Sequence, residues 1–322
     1  MEAIRQAMDE EMARDERVIL LGEDIGAYGG AFKATEGLFD KYGPERVRDT
    51  PISESAMVGA AIGAALQGMR SVVEMQFADF ISCAFDQVAN MAATFRYRTG
   101  GRVSIPIVIR CPSGGRIHGA IFHSQCPEAL FTHTPGLKVA VPATAYDAKG
   151  LLKAAIRDPD PVLYFEHKYL YRRIKEVLPD DQEVLTPLGQ AAVRRPGDHL
   201  TVVTYSAMVH DCLEAAEQAA KEDGLNAEVI DLRTLVPLDW ETVRQSVEKT
   251  GKVLLVQEDK RTGGIASDLA ARIAEETFEH LDGPVLRVTA PDTHVPFSPP
   301  LEEFYQPNAA KVLEALRRLA AY

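Results

Sequence analysis

The sequence predicts an α/β fold made of two parallel-sheet domains, and three observations carry that prediction. Short runs rich in Val and Ile alternate with helical stretches, as parallel strands covered by helices on both faces require. A polar, charged and proline-bearing stretch interrupts this alternation around residues 172–197. A second alternation then runs to residue 322. The 322 residues, 46% of them hydrophobic, suffice to bury two cores of ordinary domain size.

The first domain is placed at residues 1–180. Its strands are expected at Val18–Gly22, Arg70–Phe77, Pro106–Arg110, Lys138–Pro142 and Pro161–Glu166. Its helices are expected at Glu54–Met69, Asp79–Tyr97 and Tyr146–Arg157, after a charged, amphipathic Met1–Asp15. A linker is assigned to 181–198, where the polar residues run from Lys175-Glu-Val-Leu-Pro through Arg194-Arg-Pro-Gly197. The second domain, 199–322, has strands expected at Leu200–Tyr205, Ala227–Leu232, Lys252–Gln257 and Val285–Thr289. Its helices are expected at Ala207–Lys221, Asp239–Lys249, Gly264–Glu279 and Asn308–Ala321. Gly22-Glu-Asp-Ile-Gly26-Ala-Tyr-Gly-Gly30 lacks the spacing of a dinucleotide loop, so its glycines are read as turn formers.

Charge and cysteine usage narrow the class. Lys and Arg total 35 against 47 Asp and Glu, a net charge of −12, which argues against nucleic acid or an anionic membrane as the main partner. Cys83, Cys111, Cys126 and Cys212 form no CxxC pair, as expected of a reducing compartment. No basic-then-apolar leader opens the sequence, and the longest apolar run, Ala56–Leu66, is too short to span a bilayer. A soluble cytoplasmic enzyme subunit is the expectation.

Two segments offer titratable groups suited to proton transfer. Asp49-Thr-Pro-Ile-Ser-Glu54 places one carboxylate at the start of a helix so apolar that burial on all sides is expected, which would raise its pKa. The plainer reading makes Ser53 an N-cap and Glu54 a first-turn acid favoured by the helix dipole, by roughly 0.3–1 kcal/mol. Gly119-Ala-Ile-Phe-His123-Ser-Gln-Cys-Pro-Glu128 sets an imidazole in a loop after a strand, led in by the Gly-rich Pro112–Gly119. His123 can equally be a loop histidine satisfied by a carbonyl. His118, His123 and His133 match no zinc spacing, Ser124 lacks a nucleophile elbow, and Cys126 has no redox partner. Phe77, Phe80 and Phe85 read as core aromatics, any one of which can face a planar ring.

Leu21-Gly-Glu-Asp24, Asp49–Glu54, Gln76-Phe-Ala-Asp-Phe80, Phe85-Asp-Gln87, His123-Ser-Gln125, Pro135-Gly-Leu-Lys-Val139, Asp231–Asp239 and Ala290-Pro-Asp-Thr293 run almost from end to end of the chain. In these segments and their order it resembles the β subunit of the thiamine-diphosphate-dependent 2-oxo acid dehydrogenases, the E1 component of the multienzyme complexes. The resemblance implies a pyrimidine-binding first domain, a transketolase C-terminal-like second domain and an α2β2 heterotetramer with an E1 α subunit. It implies that Glu54 bonds N1′ of the aminopyrimidine, that Phe80 packs on the ring with Ile52 beside it, and that His123 stands near the reacting carbon.

A potassium site, where relatives have one, maps to Ile105, Ile107, Ala155, Asp158 and Asp160. No Gly-Asp-Gly occurs in the chain, so the diphosphate and its Mg2+ are expected on the α subunit, leaving this chain inactive alone. The implied reaction decarboxylates a 2-oxo acid and passes the acyl group to the lipoyl group of an E2 acyltransferase. Branched-chain substrates are favoured by His123–Glu128 and Phe165–Arg172, with pyruvate and acetoin as alternatives. Two other classes remain, a non-catalytic subunit that docks E2 and a stand-alone transketolase-like enzyme. The first is opposed by the presence of both Glu54 and His123, the second by the missing metal motif.

Overall fold

The computed structural model describes residues 1–179 and 181–322, so the expected end of the first domain, Asp180, lies outside the described residues. The first half opens with helix α1 (Glu2–Arg14), strand β1 (Val18–Gly22), α2 (Leu38–Tyr42), β2 (Val47–Asp49), α3 (Glu54–Leu66) and β3 (Arg70–Glu74). It continues through α4 (Phe95–Arg98), β4 (Ile107–Ser113), α5 (Ala129–Thr132), β5 (Lys138–Ala140), α6 (Ala145–Arg157) and β6 (Val162–His167). The second half contains β7 (Ala192–Arg195), β8 (Leu200–Thr204), α7 (Met208–Asp223), β9 (Ala227–Asp231) and β10 (Thr234–Val236). After these come α8 (Trp240–Thr250), β11 (Val253–Lys260), α9 (Ile265–Glu276), β12 (Leu286–Ala290), α10 (Pro299–Tyr305) and α11 (Ala309–Ala320).

Two sheets organise these elements. A seven-stranded sheet has the order β10-β5-β6-β4-β3-β1-β2, and a five-stranded sheet the order β12-β11-β8-β9-β7. The β1–β3–β4–β6 centre of the first is parallel throughout. All residues of β1, β4 and β6 are buried, the expected signature of parallel strands covered on both faces. In the second sheet β8, β9, β11 and β12 are parallel, whereas β7 joins the edge antiparallel to β9.

Helix starts follow side-chain chemistry. Thr144, Asp239 and Asn308 each accept an N–H three residues on, from Asp147 (3.1 Å), Thr242 (3.2 Å) and Lys311 (3.0 Å), and so begin α6, α8 and α11. The α1 helix packs on α6, with Lys149 and Lys153 reaching Glu10 at 2.6 and 2.7 Å.

The chain divides into two compact units that exchange segments. One comprises Met1–Ser113, Leu130–Leu188 and Leu235–Pro237; the other comprises Gly114–Ala129, Gly189–Thr234 and Leu238–Tyr322. The stretch assigned to a linker holds β7, because Ala192–Arg195 pairs with β9.

Two helical expectations need correction. Asp79–Tyr97 is not one helix but a 3-10 segment at Ala78–Ala84, a π turn at Gln87–Ala92, and then α4. The Thr94 hydroxyl donates to the Asn90 carbonyl at 2.7 Å, the acceptor that a regular helix reserves for the Thr94 amide, while the Ala93 N–H reaches back to Val88. The second correction concerns α3. Met57, Val58, Ala61, Ile62 and Ala65 are buried, but Ser55, Ala56, Ala60, Gly63 and Leu66 face outward in this chain, so burial is one-sided.

Candidate functional site

Glu54 is the first residue of α3 and is partly exposed, since it begins on the half-covered helix just described. Ser53 occupies the cap position, yet its hydroxyl makes no capping bond. Its backbone N–H instead bonds the carboxylate of Glu23, which follows directly from β1.

Glu23 is the residue that sequence reasoning missed. Its side chain is buried and Oε1 has no hydrogen-bond partner. Burial pushes its carboxyl above the usual range, and the nearby charge of Glu54 pushes it further, against the pull of the Ser53 N–H. Burial thus raises a carboxyl at the mouth of α3, that of Glu23. An acid one residue beyond the carboxyl end of a buried parallel strand was the available signal.

An aromatic wall stands on the adjoining element. Phe80 belongs to the 3-10 segment 78–84, which packs against α3. Its ring meets Phe77 edge-on at 5.8 Å, and Phe77 meets Phe32 edge-on at 5.4 Å, the preferred aromatic geometry. Phe85 is 41% exposed and its ring packs on buried Phe131 at 5.6 Å. Ile52, two residues before Glu54, is 83% exposed and so holds apolar surface available for contact. Glu54, Glu23, Phe80 and Ile52 all belong to the first unit.

His123 belongs to the second unit, within Gly114–Ala129. It terminates a short 3-10 turn, Ala120–Phe122, and is half-buried. The loop closes on itself, since the Gly114 N–H donates to the Gln125 carbonyl at 3.0 Å. Gly119 lies directly against His123, for a Cβ at position 119 would come 2.7 Å from the His123 Cβ and 2.9 Å from the Ser124 Oγ. Only glycine fits there.

The residues expected to hold potassium lie together in the first unit but are already electrically matched. Lys138 Nζ sits 2.7 Å from both Asp158 oxygens and 3.6 Å from Asp160, which also pairs with Arg96. The Ile105 carbonyl accepts the Ile107 N–H and the Ala155 carbonyl accepts the Asp158 N–H. These two carboxylates and two cationic side chains offer no uncompensated charge to a monovalent cation.

Comparison with known proteins bears on this arrangement. Residues 1–174 match the transketolase pyrimidine-binding domain and residues 189–312 the transketolase C-terminal domain. The chain is 53% identical to the 2-oxoisovalerate dehydrogenase subunit beta of Bacillus subtilis, spanning 100% of this chain and 98% of that one. It is 46% identical to the pyruvate dehydrogenase E1 component subunit beta of the same organism, again over 100% and 98%. With the beta subunit of acetoin:2,6-dichlorophenolindophenol oxidoreductase from Cupriavidus necator it shares 49% identity over 98% of this chain and 95% of the other. Among solved structures, a split-gene transketolase described as an inactive beta4 tetramer superposes with a TM-score of 0.81 at 26% identity, covering 99% of this chain and 97% of the other. No helix among the described residues is long and apolar enough to cross a membrane. On its two domains and its full-length relatives, the chain belongs to the E1 β-subunit family of the thiamine-diphosphate-linked 2-oxo acid dehydrogenases.

Proposed function

We propose that this chain is the β half of a branched-chain 2-oxo acid dehydrogenase E1, acting with an α subunit as an α2β2 heterotetramer in the cytoplasm. The assembled enzyme decarboxylates the 2-oxo acid and transfers the acyl group to the lipoyl group of E2. The observation that carries the reading is the buried Glu23 carboxyl beside Glu54, next to the Phe80 wall. An aminopyrimidine is a flat ring with a basic ring nitrogen, and two carboxyls beside an aromatic edge, one of them buried, suit that chemistry.

Thiamine diphosphate, when bound, supplies a nucleophilic carbon and an electron sink for loss of carbon dioxide. This chain contributes the rest of the reading. Glu54 holds a proton at N1′, Glu23 keeps a second proton within reach, and Phe80 and Ile52 enclose the ring. His123 gives or takes a proton at the reacting carbonyl and at the lipoyl sulfur. The α subunit is assigned the diphosphate and Mg2+. No potassium-dependent step is included, because Lys138 and Arg96 already neutralise Asp158 and Asp160. We assign 181–198 as the connection between the halves, with β7 formed inside it.

Identity supports the substrate class, being 53% to the 2-oxoisovalerate relative against 49% and 46% to the acetoin and pyruvate ones. The test is co-expression with the product of the neighbouring gene, followed by assay of 2-oxoisovalerate, pyruvate and acetoin with a lipoyl acceptor. The highest kcat/KM is expected for 2-oxoisovalerate. A well-formed complex that acts on none of the three overturns the proposal.

A further inference from the structure

The loop that carries His123 is held by side-chain carboxylates in addition to its own main-chain bonds. Glu302, on α10 and fully buried, accepts the Arg116 N–H at Oε1 (2.8 Å). Its Oε2 accepts both the His118 N–H (3.2 Å) and the His118 Nδ1–H (2.6 Å). Glu258, on β11, accepts the Gly115 N–H at 2.6 Å. The Arg116 guanidinium pairs with Asp211 at 2.9 Å and donates to the Pro307 carbonyl at 2.8 Å.

The backbone needs such restraint. Arg116, His118 and Ala120 have φ of +63°, +60° and +55°, three non-glycine residues in the left-handed region within five positions. Such a run persists only where its surroundings over-determine it. Gly119, between the clamped His118 and Ala120, is the residue that lies against the His123 Cβ. Every residue of this chain of contacts belongs to one compact unit.

We propose that Glu302 is a positioning residue for His123, fixing the loop 114–123 through its three hydrogen bonds and so setting where the imidazole stands. This rests on the reading of His123 as a proton-transfer group. Glu302 acts at a distance along the chain and touches neither substrate nor cofactor.

The test uses the assembled enzyme and two variants of matched shape. Glu302→Gln retains Oε1 but replaces Oε2 by an amide that cannot accept from His118. Turnover with a lipoyl acceptor is expected to fall about 10-fold or more, since a displacement near 1 Å can cost ~10²-fold. Thiamine diphosphate affinity should stay within about 2-fold, because the pyrimidine contacts assigned above lie on other elements. The decisive measurement is the double variant Glu302→Gln/His123→Ala, which should be no slower than His123→Ala alone, as expected when one residue acts only through the other.

Losses that multiply in the double variant overturn the proposal while leaving His123 in the mechanism. Normal turnover by His123→Ala alone instead removes His123, and the proposal with it. If Glu302→Gln does not fold, His118→Asn takes its place, because asparagine tolerates the left-handed backbone while losing the ring bond to Glu302. It should show a smaller loss, also absent in the His123→Ala background, and a multiplicative loss again overturns the proposal.

Discussion

Glu23 and Glu54, two like residues assigned to one site, stand in different surroundings. Glu54, at the mouth of α3, was legible because an acid preceding an apolar run stands out, and the family motif names it. Glu23 was not, since burial at the end of β1 and the approach of α3 arise only once the sheet has formed. In the assembled enzyme Glu54→Gln should keep the fold and lower activity by well over the ~10²-fold typical of one general acid–base group. Near-normal turnover in that variant would return Glu54 to the helix-start reading.

Glu23→Gln should separate stability from activity. The folded carboxyl is raised above 4.5, so its contribution to stability is fully present below that pH and is lost as pH rises through the folded value. Melting curves of variant and wild type should therefore coincide near pH 4 and diverge in the variant's favour toward neutrality, while activity falls. A variant less stable than wild type at pH 7 would show that the carboxylate is anchored by contacts stronger than its burial penalty. His123 itself was visible as a motif, but the bonds that hold its loop come from Glu302, 179 residues later in sequence, and no local pattern announces them.

At the scale of elements, hydrophobic pattern located the strands and most helices to within a few residues, because both-sided burial leaves uninterrupted Val and Ile runs. It failed where tertiary contacts override pattern. The expected helix Asp79–Tyr97 changes hydrogen-bond register twice, and β2, β7 and β10 are short edge strands that only their neighbours define.

A third feature lay hidden inside the strands themselves. Arg110 on β4 is fully buried between Glu74 on β3 and Glu166 on β6, with the Met8 sulfur 3.9 Å away. Glu74 faces Arg110 directly in register, so strand pairing creates the ion group. Arg110→Met removes the positive charge set between the two acids and should cost roughly 3–5 kcal/mol, read as a lower urea midpoint with unchanged slope. A variant within 1 kcal/mol of wild type would show that the two carboxyls simply take up protons when the guanidinium is lost.

For the whole molecule, the absence of a Gly-Asp-Gly segment and the exposed face of α3 lead to the same expectation. The isolated chain should bind thiamine diphosphate weakly and decarboxylate nothing, and adding the α subunit should restore both. Calorimetry on the single purified chain checks this; tight magnesium-dependent binding without a partner contradicts it.

The exchange of segments between the two units limits how the molecule can be taken apart. Gly114–Ala129 leaves the first half for the second unit, and Leu235–Pro237 returns from the second half to the first. With β10 at the edge of the seven-stranded sheet, a fragment ending at residue 188 would leave β5 as a bare edge, open to pairing with any other chain. No single cut yields two self-sufficient modules, so chimeras meant to move substrate preference between relatives must join at five points rather than one.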